Sequence, residues 1–169
     1  MAKSYHSREQ QQEPEAPLLP ANEGSERLVL GALFRDPDKW YPLAAESLNE
    51  ESWSLPSHRL IWVAITGLVA ADRPLDLVTV TEQLTITERD ITLARVGGNG
   101  YLDDLNCPVR NYHRGINVGW HIAHVKEFAL RRTAYRRLVE LGEKLCDLAI
   151  PMPGVIDAIK MVGEELRHG

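Results

Sequence analysis

The chain has 169 residues, of which 44% are hydrophobic and 25% charged, with a formal net charge of −5. That balance suits a globular domain with an appendage rather than a disordered chain. It weighs against nucleic acid as the dominant partner, because phosphate binding leaves a basic footprint, and the longest apolar runs fall far short of the roughly 18 residues that a membrane span needs.

Cys107 and Cys146 form no C-x-x-C pair, which suits free thiols in a reducing compartment. The amino terminus shows no cationic region followed by an apolar one, so no signal peptide is expected and the cytoplasm is the expected compartment. Residues 1–21 carry a glutamine run, scattered charges and Pro14, Pro17 and Pro20. Such a segment buries too little apolar surface to offset its ordering entropy, and it is read as a disordered arm.

Helical spacing begins near Asn22, with Leu28, Leu30 and Leu33 flanked by Val29 and Phe34, and stops before Asp36-Pro37. A short second helix is expected over residues 40–48, then a loop over 50–56 carrying Trp53. Residues 58–71 form a regular amphipathic stretch, with Ile61, Ile65 and Leu68 on one stripe. Pro74 prevents its simple continuation, and Asp76 can cap the next helix. Thr79 to Glu82 has capping-box spacing, and Thr87 to Asp90 repeats the idea before another short helix that Gly97-Gly98 should stop. No segment alternates with a period of two between hairpin turns, so the predicted class is all-α.

From Ile116 the texture changes. A seam of three- and four-residue steps runs through Val118, Ile122, Val125, Phe128/Ala129, Arg132, Tyr135, Leu138/Val139, Gly142, Leu145 and Ala149. At roughly 1.5 Å per residue it spans about 50 Å. Pro151 and Pro153 break the chain, and a shorter helix comes next with Val155/Ile156, Ile159, Val162 and Leu166 on one face. The organisation predicted is an arm (1–21), a helical head (22–107), a linker (108–115) and an antiparallel helical hairpin (116–169). The short helix cannot cover the long seam, so the hairpin is expected to pair with another subunit.

The residues expected to meet a partner are Val125, Glu127, Arg131, Arg132, Tyr135, Arg136, Leu138, Leu145 and Ile159. Arg131, Arg132, Arg136 and Arg137 read either as a basic patch for phosphate or an acidic protein surface, or as a solvated helix face. Arg132 lies on the seam itself, and Glu127 sits too far round the helix to be its mate. It is therefore expected to be an interface residue whose carboxylate or carbonyl partner lies on another helix or chain.

Little points to chemistry. His121 and His124 are three apart with His113 nearby, whereas a catalytic zinc helix spaces its histidines four apart around a glutamate. A metal-dependent hydrolase is thus the weaker reading. Adjacent acids at Asp103-Asp104 and Glu164-Glu165 diverge by about 100° on a helix and cannot converge on one substrate. Gly97-Gly98-Asn99-Gly100 lacks the lysine of a phosphate-cradling G-x-x-x-x-G-K-[ST] loop, and no such motif occurs elsewhere. No catalytic residue, cofactor or metal is assigned, and the chain is expected not to hydrolyse nucleotide.

Several pieces in order resemble the N-terminal domain of DnaB-type replicative DNA helicases. They are Glu26, Val29, Leu30, Gly31 and Leu33 at the opening; Trp53 before His58-Arg59; and Ile61-Trp62. Pro74, Asp76, Val78, Thr79 and Leu84 come next, then Gly97, Gly98, Tyr101, Leu102 and Leu105, then Asn117, Val125, Glu127 and Arg132. His121 stands where the family prefers tyrosine, and the basic, aromatic stretch of residues 108–115 is a further departure. The resemblance implies a non-catalytic assembly domain of the primosome, acting in DNA replication. Its hairpins would pair between subunits, forming a collar on a hexameric helicase that docks primase or a loader. DNA contact would be weak or indirect, and the motor domain would follow in a parent protein. The alternative is a freestanding adaptor that regulates a helicase or primase with the same fold.

Overall fold

The computed structural model describes residues 19–86, 92–111, 117–147 and 149–168. Most of the predicted arm, residues 1–18, lies outside them, as do residues 112–116 and the Thr87–Asp90 cap. Among the described residues every regular element is helical.

Helix α1 (Glu23–Arg35) starts where the Asn22 side chain accepts the backbone N–H of Ser25 at 3.0 Å. Val29, Leu30, Ala32, Leu33 and Phe34 bury its inner face. Helix α2 (Pro37–Ser47) begins three residues earlier than predicted, because Pro37 at the first helical position gives up only an N–H that has no intrahelical acceptor. The predicted loop contains a 3-10 turn (Glu50–Ser52), closed by Asn49 N–H donating to Ser52 Oγ at 2.9 Å and Ser52 Oγ donating to Asn49 Oδ1 at 3.1 Å. That turn delivers Trp53 into the core beside Trp62, with ring centroids 5.3 Å apart.

Helix α3 (Pro56–Ala70) packs against α4 (Leu77–Ile86) and α5 (Thr92–Val96). The α4 cap is shifted from one of its two predicted forms. Asp76 Oδ1 accepts Thr79 N–H at 2.8 Å, and Thr79 Oγ1 accepts Asp76 N–H at 3.0 Å. Thr79 is thereby the far member of an Asp76 capping box rather than the start of one with Glu82, and Glu82 instead meets Arg73 at 3.5 Å.

Gly97 and Gly98 link α5 to α6 (Gly98–Asn111), with φ of 109° and 72°. A Cβ on Gly97 would come 2.9 Å from Tyr101 Cβ, in a backbone region that L-residues rarely adopt. Gly97→Ala is expected to lower stability by about 1–3 kcal/mol in urea unfolding. Gly98→Ala, whose Cβ meets nothing within 4 Å, should cost about 1 kcal/mol. Equal losses would mean that Tyr101 yields freely.

Helix α7 (Val118–Cys146) is capped by the Asn117 side chain, which accepts Trp120 N–H at 3.0 Å, and it packs along α1, α2 and the 3-10 turn. Val118, Ile122 and Val125 belong to the same core as α1, α3 and α6. The predicted linker at residues 108–115 begins inside α6, which runs on to Asn111. After residues 147–151, α8 (Met152–His168) packs back on α7. Ala149, the last position of the predicted seam, lies in the turn beyond α7.

Candidate functional site

Two groups of polar and apolar residues stand out: an ionic cluster inside the core, and the surface of the α7–α8 hairpin. The first begins with Glu26 on α1. Its Oε2 lies 2.6 Å from His58 Nδ1 on α3, and its Oε1 accepts the backbone N–H of Ser54 at 2.9 Å. His58 Nε2 in turn lies 2.6 Å from the Tyr101 hydroxyl on α6. Burial pushes the Glu26 carboxyl pKa up, but the hydrogen bonds from His58 and Ser54 outweigh it and leave the group below its ordinary value. Burial raises the Tyr101 phenol against the pull of the nearby Arg27 guanidinium, which lies 5.2 Å from the ring centroid.

An acid, an imidazole and a hydroxyl in line could relay a proton if a substrate reached them. Glu26 and His58 are fully enclosed by the core, so the row works as a polar brace tying α1, α3 and α6. Sequence reading matched these residues singly and did not join them. The only signal in the chain was two ionisable side chains on otherwise apolar stripes.

Arg132 corrects the expectation placed on it. It is 2% exposed and donates through Nη2 to Ser52 O at 2.7 Å and through Nη1 to Pro20 O at 3.0 Å. Its mates are carbonyls of its own chain, so it fastens α7 to the 3-10 turn and to the segment before α1 rather than facing a partner. Burial lowers its pKa, and the Glu26 charge acts against that shift. Val125, also expected to meet a partner, is 1% exposed and belongs to the core of the head.

The other arginines lie outside. Arg131 pairs with Glu127 at 2.6 Å, Arg137 with Glu140 at 3.1 Å, and Arg136 approaches Glu51 at 3.6 Å. Each positive charge has a carboxylate beside it, which fits the solvated-face reading better than a phosphate-binding patch. His121 Nδ1 lies 3.0 Å from Ser25 Oγ, and His124 stacks on Trp120; burial and the neighbouring His124 lower the His121 pKa. His113 lies outside the described residues.

Beyond Arg132 the seam of α7 emerges from the head. Tyr135, Val139 and Leu145 are exposed, and Leu138 is 58% exposed. On α8 only Val155 is buried among the described residues, whereas Met152 and Ile156 are exposed and Ile159 is 47% exposed. Arg137, Glu140 and Lys144 line one side of the hairpin with Ala158 and Met161. At about 100° per residue, Leu138 and Leu145 fall on the opposite flank of α7, and Met152, Ile156 and Ile159 on the matching flank of α8. One side of the hairpin is therefore apolar and open to solvent. Of the predicted contact residues, the structure gathers Tyr135, Leu138, Leu145 and Ile159 here. Met152, a flexible thioether at the start of α8, was missed.

Among the described residues the chain is a helical core from which the α7–α8 hairpin projects, and that hairpin carries an exposed apolar face. Residues 18–127 match the family described as the DnaB-like helicase N terminal domain. The replicative DNA helicase DnaC of Bacillus subtilis is 32% identical over 126 residues, covering 75% of this chain and 26% of that protein. The replicative DNA helicase DnaB of Rhodothermus marinus is 36% identical over 107 residues, covering 63% of this chain and 11% of that protein. The crystal structure of the N-terminal domain of DnaB helicase from Mycobacterium tuberculosis superposes with a TM-score of 0.73 at 26% identity, covering 85% of this chain and 97% of that one. A DnaB-like replicative helicase, described with its interactions with primase, superposes with a TM-score of 0.65 at 20% identity, over 85% of this chain and 31% of that one, and shows the shared fold. The chain belongs to the DnaB-like helicase N-terminal domain family. It spans about a quarter of the length of the Bacillus relative. Among the described residues, no helix is long and apolar enough to cross a membrane.

Proposed function

We propose that this chain is the assembly and partner-docking domain of a replicative helicase system, pairing with copies of itself through the hairpin and presenting a collar to primase in the bacterial cytoplasm. The observation that carries this reading is the open apolar flank of Leu138, Leu145, Met152, Ile156 and Ile159. Large side chains on two adjoining helices leave more contiguous apolar surface than isolated exposed residues do, and such a patch marks an interaction site. The compensated arginines and the net charge of −5 favour protein over nucleic acid as the occupant. Primase is the partner to test first, because the 20%-identical helicase of the same fold is described with its interactions with primase. The division into a head and a hairpin belongs to the same proposal: the head holds α7 rigid, and the hairpin offers the contacts.

Sedimentation equilibrium should show reversible self-association of the purified chain at micromolar concentration. Fluorescence anisotropy should show a labelled primase binding the assembled form. A wild-type chain that stays monomeric at several hundred micromolar would overturn the assembly role, and failure of primase to bind the assembled form would remove the docking role.

A further inference from the structure

Where the start of α2 meets the turn from α3 into α4, the head carries a groove of about 320 Å³. Pro37 and Tyr41, four residues apart, share one face of α2 and line one side of it. Val69, Pro74 and the buried Leu75 line the other. Tyr41 is steadied by stacking on Trp62, with ring centroids 6.1 Å apart, and among the described residues its hydroxyl has no partner. Two carboxylates complete the lining, Asp38 and Asp72. Neither is paired among the described residues, because the nearby cations are engaged elsewhere. Arg73 donates to Gln83 at 3.0 Å and meets Glu82 at 3.5 Å, and the Lys39 ammonium sits over the Trp40 ring at 4.4 Å. Pro42, inside α2, has no N–H to give the Asp38 carbonyl, which therefore lacks its usual helical donor.

We infer that this groove docks a proline-rich segment of a partner protein that carries an arginine or lysine beside its prolines. Shape is one argument. A helix is about 10–12 Å across and lies in a trough that follows several of its turns, which is more than this groove offers. Strand addition needs an open sheet edge, and the described residues form no strand. A polyproline helix is narrow, repeats every three residues and is formed before it binds, so docking orders little, and aromatic-lined grooves are the surfaces that receive it. Its carbonyls are free to accept the Tyr41 hydroxyl proton. Charge is the other argument. Two unpaired carboxylates and an open carbonyl at one rim attract a cation and repel an acid. The chain's own Pro14 and Pro17 have Glu13 and Glu15 beside them, so Asp38 and Asp72 disfavour that segment as the occupant. No residue of the groove belongs to α7 or α8, so the site is independent of the proposed hairpin pairing.

The test titrates a labelled peptide of six prolines followed by two arginines with the full chain and reads fluorescence anisotropy. Binding should saturate, and it should weaken at least tenfold when glutamates replace the arginines. Asp38→Asn combined with Asp72→Asn should weaken the arginine peptide at least fivefold and narrow the gap between the two peptides. Asparagine tolerates the φ of 53° at position 72, so the melting temperature should stay unchanged. Leu138→Asp, on the hairpin, should leave peptide binding as in wild type. Absence of saturation at millimolar concentration, or equal binding of the two peptides to wild type, would overturn the inference. So would binding that is lost in Leu138→Asp and kept in the Asp38/Asp72 variant, which would move the peptide to the hairpin. Tighter binding of a peptide spanning residues 9–20 than of the arginine peptide would make the chain's own amino-terminal segment the occupant and overturn the partner reading.

Discussion

Glu26→Ala should destabilise the chain by about 3–5 kcal/mol, the usual cost of removing one member of a buried ionic pair, and so lower the melting temperature by roughly 10 °C. The loss has three sources. His58 Nδ1 and the Ser54 backbone N–H lose their acceptor, and the enclosed Arg132 guanidinium loses the carboxylate that offsets its burial. Replacing Arg137, whose ion pair with Glu140 is exposed, should cost less than about 1 kcal/mol. Urea unfolding monitored by circular dichroism gives both values, and similar losses for the two variants would show that the Glu26 row does not brace the core.

The same residue sets an acid limit. The folded pKa of Glu26 lies below its ordinary 4.5, so its contribution is complete above that pH and is lost as pH falls through the folded value. Wild-type stability should therefore decline on acidification below about pH 4.5 more steeply than that of Glu26→Gln. Parallel declines would place the acid sensitivity elsewhere.

Leu138→Asp combined with Ile159→Asp should raise the self-association dissociation constant a hundredfold or more and leave the fold intact. Both side chains are exposed in the isolated chain, so a carboxylate there is solvated until a partner covers it. Covering it then forfeits about 1.5–3 kcal/mol of burial per site and strips water from a charge. Val125→Asp should behave differently, because it places a carboxylate in the head's own core and should unfold the head. Sedimentation and melting on the same samples separate the two outcomes. If Val125→Asp melts like wild type and merely dissociates, the head core is drawn wrongly at α7.

The helices and their ends are legible along the chain because they depend on neighbours a few residues away. Apolar spacing of three and four marks α1, α3 and α7, and Gly97-Gly98 marks the α5–α6 junction. Errors at this level are local too. Pro37 starts α2 early, and Thr79 satisfies Asp76 rather than opening a box with Glu82. The hairpin was readable for the same reason, since two prolines interrupt a long periodic run.

What covers each face was decided by the fold. Val125 and Leu138 share the predicted seam, yet the first is buried in the core and the second faces solvent, because thirteen residues at about 100° each leave them on different sides of α7. Periodicity reports that a face is apolar and says nothing of which surface meets it. Arg132 shows this most sharply. Its place on the seam pointed to a partner subunit, but its acceptors are Ser52 and Pro20, 80 and 112 residues away in sequence. The Glu26–His58–Tyr101 row likewise joins three helices over separations of 32 and 43 residues. Contacts of that range arise only when packed helices bring the side chains together, and there the low dielectric of the core makes the pairing specific.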